Sequence, residues 1–232
     1  MHTVIDDDHV HVWQVNLKSL NELPKDISEW LSPYELERAI KFKFTLDREH
    51  FILRHYLLRL ILCKYCDCQP HELRFKYNSH NKPFINLPEF SEIKFNMSFS
   101  DELMMIGLCK QNDIGIDIEK VREIDNLEHI AIENFSQREL EYFNSELDKT
   151  TAFFNIWTRK EAFLKATGKG IYFPLKSFSV DINPNGSCEN LTILKHPAKS
   201  KLWRTRTLKT SDNHIAALAI KSVRFNVLYF QL

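Results

Sequence analysis

The chain has 232 residues, 44% of them hydrophobic and 27% charged, which is enough apolar volume for one large domain or two small ones and far from a disordered composition. Lysine plus arginine and aspartate plus glutamate each number 31, so the uniform positive field of a generic nucleic-acid binder is absent and no nucleic-acid partner is expected. The most apolar stretch, residues 56–63, is broken by Arg59 and followed by Lys64, too short to cross a bilayer, so no membrane partner is expected either.

The N-terminus reads MHTVIDDDHVHVW, acidic where a signal peptide would be basic and then apolar. With five cysteines, an odd number that so large a chain does not need as staples, a reducing cytoplasm fits best. Residues 10–15 alternate in the manner of a half-buried strand. Ser32-Pro33 with Glu35 three residues beyond the cap predicts a helix over 33–43. A second helix, from 46 or 47 to about 65, follows from apolar recurrence, with Arg48, Arg54 and Arg59 on or beside its wet face. Cys63, Cys66, Cys68 and His71 crowd together at its end. Zinc accepts such donors, but the spacing is cramped and no second cysteine pair lies nearby, so ordinary thiols are expected.

Residues 73–77, 93–97 and 104–108 read as strands, 78–83 as a turn, and Asn112-Asp113 turns the chain into a strand over 114–119. In the second half, 135–143 and 151–167 read as helices, the longer one closed by Gly168. Strands over 178–181 and 191–194 flank a turn at 183–186, and 203–208 and 215–220 complete a sheet. The fold class is α+β, in two comparable halves divided as 1–112 and 113–232.

The sharpest local pattern is Ile114-Gly115-Ile116-Asp117-Ile118-Glu119. With period two, the isoleucines share the core face while Gly115, Asp117 and Glu119 share the other. A third carboxylate is available on the long helix, where Trp157, Glu161 and Lys165 recur at i and i+4 on one face. Three oxygen ligands, Asp117, Glu119 and Glu161, suit Mg2+, which takes carboxylates, waters and phosphate oxygens. Lys165 beside them can offset charge on a phosphate, which makes a phosphoryl-type transfer site.

GIDIEK at 115–120 and WTRKEAFLKATGKG at 157–170, separated by FSQRE at 135–139, resemble the signatures of the 4′-phosphopantetheinyl transferase superfamily. The length matches its long, two-subdomain, Sfp-type branch. The resemblance implies two similar α+β subdomains related by a pseudo-twofold, with the active site in the cleft between them and most metal ligands in the second. It implies a cytoplasmic, monomeric enzyme that uses Mg2+ and moves the phosphopantetheine arm of coenzyme A onto a serine of an acyl or peptidyl carrier protein, releasing adenosine 3′,5′-bisphosphate. Asp117, Glu119 and Glu161 would hold the metal and Lys165 would contact the phosphates. Either Glu161, or Glu139 through a water, would accept the serine proton.

Coenzyme A contacts carry over less directly. Asn81-Lys82-Pro83 resembles the family's Gly-Lys-Pro, with Asn81 tolerating the glycine's left-handed backbone and Lys82 touching the ligand. Arg48, His50 and Arg54 resemble an arginine-rich phosphate-binding segment, His50 standing where an arginine is expected. Asn96-Met97-Ser98-Phe99-Ser100 resembles N-x-S-H-S, with Phe99 in place of the histidine. A phenyl ring donates no hydrogen bond, so coenzyme A affinity should fall unless Arg48, His50 or Arg54 compensates. The carrier surface would be basic and apolar, drawn from Arg38, Lys41 and Lys43, or from Arg122 and Arg138. Two other readings stay open on sequence alone: a non-catalytic coenzyme A- or carrier-binding protein, and a metal-dependent phosphodiesterase.

Overall fold

The computed structural model describes residues 3–20, 26–170, 173–182, 189–194, 196–210 and 213–232; the turn expected at 183–186 lies outside them. The first half contains β1 (His9–Asn16), α1 (Pro33–Ala39), α2 (Thr45–Leu62), β2 (Phe75–Tyr77), β3 (Pro83–Ile85), β4 (Ile93–Ser100) and β5 (Leu103–Lys110). There follow β6 (Ile114–Lys120), α3 (Leu127–Asn134), α4 (Gln137–Ser145), α5 (Lys149–Thr167), β7 (Phe178–Val180), β8 (Glu189–Ile193), α6 (Pro197–Ser200), β9 (Arg204–Leu208), β10 (His214–Ile220) and β11 (Asn226–Gln231).

Local chemistry sets the helix ends. Ser32 and Glu35 close a capping box at α1, and Ser136 and Glu139 close another at α4. The helix expected over 33–43 stops at Ala39, because Lys41 and Phe42 donate to carbonyls only three residues back and the turn tightens. The helix expected over 135–143 is α4, which begins at Gln137, and a further helix, α3, precedes it. Phe135 ends α3, which the sequence did not reveal, and Ser136 starts α4. Asp148 caps α5, and Gly168 ends it with φ +63°.

Two sheets form, ordered β11-β1-β5-β4 and β6-β10-β9-β8-β7, with β2-β3 as a separate hairpin. β11 lies parallel to β1, Asn226 opposite His9 through Gln231 opposite Gln14. The division at 112/113 therefore separates the two sheets except at the C-terminus, where residues 226–231 return to the first.

Alternation along the strands builds four layers. Met104, Ile106 and Leu108 of β5 pack with Leu57, Ile61 and Leu62 of α2. Leu103, Met105 and Cys109 face the other way, onto Ile114, Ile116 and Ile118 of β6 and Leu218 of β10. Ala217 and Ala219, on the opposite face of β10, carry Phe163 and Ala166 of α5. The order is α2, first sheet, second sheet, α5, each interface made by one side of a period-two strand.

The sheets meet along β4 and β6 without ordinary strand pairing. Asn96 Oδ1 accepts from Ile116 N (2.9 Å), Ser98 Oγ from Ile118 N (3.4 Å) and Ser100 Oγ from Lys120 N (2.9 Å). The separation of 20 residues is the same at each rung, so the strands run in one direction. Three side chains thus satisfy backbone donors that an edge strand would otherwise leave open.

Arg59 corrects its expected place on the wet face. It is 1% exposed; its Nε and Nη2 donate to Glu35, and its Nη1 donates to the Pro70 and Leu73 carbonyls at 2.6 and 2.9 Å. A helix-periodic arginine can be buried when every donor finds an acceptor.

Candidate active site

The site begins at Gly115. A Cβ there would stand 2.0 Å from the Ala162 carbonyl oxygen and 2.3 Å from the Ala166 nitrogen. The glycine therefore does not leave room for a ligand, as its position beside two carboxylates suggests; α5 itself fills the space. This close crossing sets α5 directly on β6 and brings Glu161 and Lys165, one turn apart, to Asp117, the next residue on Gly115's face.

Lys165 Nζ donates to Asp117 Oδ1 (2.6 Å) and to Ser98 Oγ (2.8 Å), and Ser98 Oγ donates to the same Oδ1 (3.0 Å). Ser100 Oγ donates to Glu119 Oε2 (3.2 Å). Asp117 is 3% exposed, and its Oδ2 is buried without a hydrogen-bond partner. Burial pushes its carboxyl above the usual range against the pull of Lys165. Glu119 and Glu161 are pushed up as well, first by burial and then by the charge of Asp117; Glu161 also feels Glu119. The charge of Asp117 thus raises both neighbours, while its own carboxyl is raised by burial.

Magnesium is tested by the donors themselves. Hard carboxylate oxygens, a buried oxygen with no partner and mutual repulsion are what a hard divalent ion relieves. Among the described residues, however, no three His, Cys, Asp or Glu side chains are gathered closely enough to ligate one ion. The Lys165 ammonium lies on Asp117 Oδ1. The chemistry of the set fits the ion, and its ligand geometry is not closed.

Other expected site residues divide sharply. Lys82, Pro83, Glu161 and Lys165 line one cleft of about 230 Å³, together with Met97 and Gly168. Glu161 and Leu164 also wall a second hollow of about 500 Å³ with Trp157, Phe173 and Leu175. Asn81 has φ +63°, the left-handed backbone expected of it. Arg48 is exposed and His50 half-buried on the first turns of α2.

Three of the expected residues are engaged by other partners. Glu139 is not at the cleft. It is 1% exposed, its oxygens accept from Lys160 Nζ at 2.9 and 2.7 Å, and the Ser136 and Val180 backbone N–H groups each donate at 2.8 Å. A carboxylate so enclosed holds α4 and β7 to α5 and has no open path to a serine. Ser98 spends its one donor on Asp117 and accepts from Lys165 and Ile118, so it orients the site and has no capacity left for a ligand. Lys82 Nζ donates to the Ile114 and Ala166 carbonyls at 2.9 and 2.8 Å, tying the hairpin to β6 and α5, and burial lowers its pKa to about 8.

Sequence reasoning did not single out Arg54 and Phe99 as partners, although it named both. The Arg54 guanidinium carbon lies 3.5 Å from the Phe99 ring centroid. The Cys63 and Cys68 sulfurs are 3.6 Å apart and His71 is exposed, outside any ligating group among the described residues.

Two family models cover nearly the whole chain. The model described as the 4′-phosphopantetheinyl transferase superfamily matches residues 113–219, and that described as 4′-phosphopantetheinyl transferase, N-terminal, matches residues 19–110. The chain is 35% identical to the 4′-phosphopantetheinyl transferase HetI of Nostoc sp. over 217 residues, 92% of this chain and 88% of that one. It is 32% identical to the transferase Sfp of Bacillus subtilis, covering 68% of this chain and 69% of that one. To the transferase gsp of Aneurinibacillus migulanus it is 31% identical, covering 72% and 70%. The boundary between the two models falls where β5 ends and β6 begins.

Proposed function

Because this chain belongs to the 4′-phosphopantetheinyl transferase superfamily, we propose that it transfers the phosphopantetheine arm of coenzyme A to a serine of an acyl or peptidyl carrier protein and releases adenosine 3′,5′-bisphosphate. The observation that carries this reading is the crossing of α5 on β6 at Gly115, which sets Glu161 and Lys165 against Asp117.

Asp117, Glu119 and Glu161 are the residues that would hold Mg2+, which when bound supplies positive charge to the diphosphate of coenzyme A. The rest of the chemistry is assigned to the chain's own groups. Glu161 accepts the serine proton. It is partly buried, walls both hollows, and has a pKa raised by burial and by Asp117, which brings it closer to a base working near neutrality. The serine oxygen then bonds to the β-phosphorus as the bond to the nucleotide-side bridging oxygen breaks. Lys165, with its ammonium at the mouth of the carboxylate set, offsets the charge that builds on the departing phosphate. Ser98 and Ser100 hold the carboxylates in place. Arg48, His50, Arg54, Pro83 and the Lys82 segment contact coenzyme A.

β4 of the first sheet and β6 with α5 of the second all come from one chain, which supports a monomer. Among the described residues no helix is long and apolar enough to cross a membrane, and a cytoplasmic location fits the carrier as substrate. The carrier docks on the α1–α2 connection. There Ile40 (72%), Phe44 (63%) and Leu46 (61%) are exposed beside exposed Lys41 and Lys43, an apolar surface with cations interleaved. Arg138 instead pairs with Asp181 at 3.0 Å.

Incubation with a panel of apo carrier proteins, coenzyme A and Mg2+, read by intact mass, tests the reaction. One carrier gaining the mass of one phosphopantetheine is the expected result; free nucleotide with every carrier unlabelled would replace the transferase by a phosphodiesterase.

A further inference from the structure

Phe99 stands where the family resemblance places a histidine, and the structure shows what the ring does there. It is 45% exposed on β4, and the Arg54 guanidinium stacks on it with its carbon 3.5 Å from the ring centroid. Stacking uses the face of the guanidinium and leaves its in-plane N–H groups directed outward. Those donors are largely unspent. Nη2 reaches the Asp101 carbonyl at 3.3 Å, and Nε is buried with no partner. Among the described residues no carboxylate lies within ion-pair distance of Arg54.

A half-buried cation, fixed on a ring and left with an orphaned donor, is poised for an anion. Its position suits one. Met97 lines the cleft with Lys165 and Lys82, and Phe99 follows it on the same face of β4, one period along, about 7 Å away. The neighbouring residues on the other face, Ser98 and Ser100, hold Asp117 and Glu119.

We propose that Phe99 is a positioning residue that presents Arg54 as the phosphate contact at this end of the cleft, so that a guanidinium on a ring takes over the work of the absent imidazole. The inference rests on coenzyme A being the co-substrate. It identifies Arg54, of the three candidates Arg48, His50 and Arg54, as the residue that compensates for Phe99.

The test compares the wild type with Phe99→Leu, Phe99→Tyr, Arg54→Met and the Phe99→Leu/Arg54→Met double variant. Coenzyme A binding is measured by calorimetry, and KM and kcat in the carrier assay. Because Phe99 is half-exposed, leucine should leave the thermal melt nearly unchanged. Phe99→Leu should weaken coenzyme A binding and raise KM by about 3–10-fold, the scale of one cation–π contact, with kcat within about twofold. Phe99→Tyr should restore both. In the Arg54→Met background, Phe99→Leu should add nothing, because the ring then has no cation to hold. Wild-type binding in Phe99→Leu, independent addition of the two effects, or a loss confined to kcat overturns the proposal. A wild type that binds coenzyme A while the variants match it removes the roles given to Phe99 and Arg54 and leaves the proposed reaction standing. A wild type that binds no coenzyme A brings down the proposed reaction, and this inference with it.

Discussion

Two lysines of α5, little more than one turn apart, each meet an acid, and the contrast between them separates scaffold from chemistry. Lys160 and Glu139 are 0% and 1% exposed, and the ammonium also donates to the Phe178 carbonyl. Every atom of that pair has a partner. Lys165 and Asp117 are 31% and 4% exposed, and one Asp117 oxygen is left with none. The sequence offers both as lysines on one helix, and the FSQRE segment leaves Glu139 standing beside Glu161 as a candidate base. What distinguishes them is completeness: a finished pair stabilises, whereas a pair that keeps an unsatisfied buried atom and whose lysine lines a cleft awaits something.

Lys160→Ala would break the finished pair and leave Glu139 buried and uncompensated, which costs about 3–5 kcal/mol of stability. Thermal melts should show a large fall, while turnover per folded molecule changes little. If turnover collapsed with the melt unchanged, Glu139 would return as a candidate base.

Asp117→Asn should do the reverse. Turnover should drop by about 10²–10³-fold, the scale of losing one charge-stabilising group, with folding retained by circular dichroism. Carrier labelling at close to the wild-type rate would contradict the role given to Asp117.

Gly115→Ala joins the two effects, because its Cβ would collide with α5 backbone at 2.0 Å. Forcing the helix off the strand should cost about 1–3 kcal/mol and also slow transfer, since Glu161 and Lys165 ride on that helix. A denaturant midpoint equal to wild type would mean the crossing is looser than described.

The smallest expected effect concerns Lys82, whose pKa falls from 10.5 to about 8 in the fold. Between those values the unfolded chain keeps a proton that the folded chain has lost, so stability rises with pH through that window. Below about 8 both states are protonated and the burial penalty is constant. Denaturant midpoints across the window should show the slope, and Lys82→Met should flatten it.

Much of the site was legible in one dimension because its parts follow local periods. Asp117 and Glu119 share a strand face at period two, and Glu161 and Lys165 a helix face at i+4. The left-handed Asn81 and the Gly168 cap followed from backbone preference. What could not be read is what depends on distant residues. Nothing in N-x-S-x-S says that its alternate side chains cap the β6 backbone, or that Ser98 is fully spent on Asp117, Lys165 and Ile118. Arg59 has the spacing of an exposed arginine until Glu35 and two carbonyls arrive from elsewhere in the chain. β11 joins β1 across nearly the whole sequence, and no pattern near either strand announces it.

A crystal structure of the wild-type protein with coenzyme A and Mg2+ puts the matter most directly. We expect oxygens of Asp117, Glu119 and Glu161 around one ion, with Lys165 against a phosphate oxygen. A fully occupied complex with Glu161 turned away from the other two carboxylates would contradict the assignment.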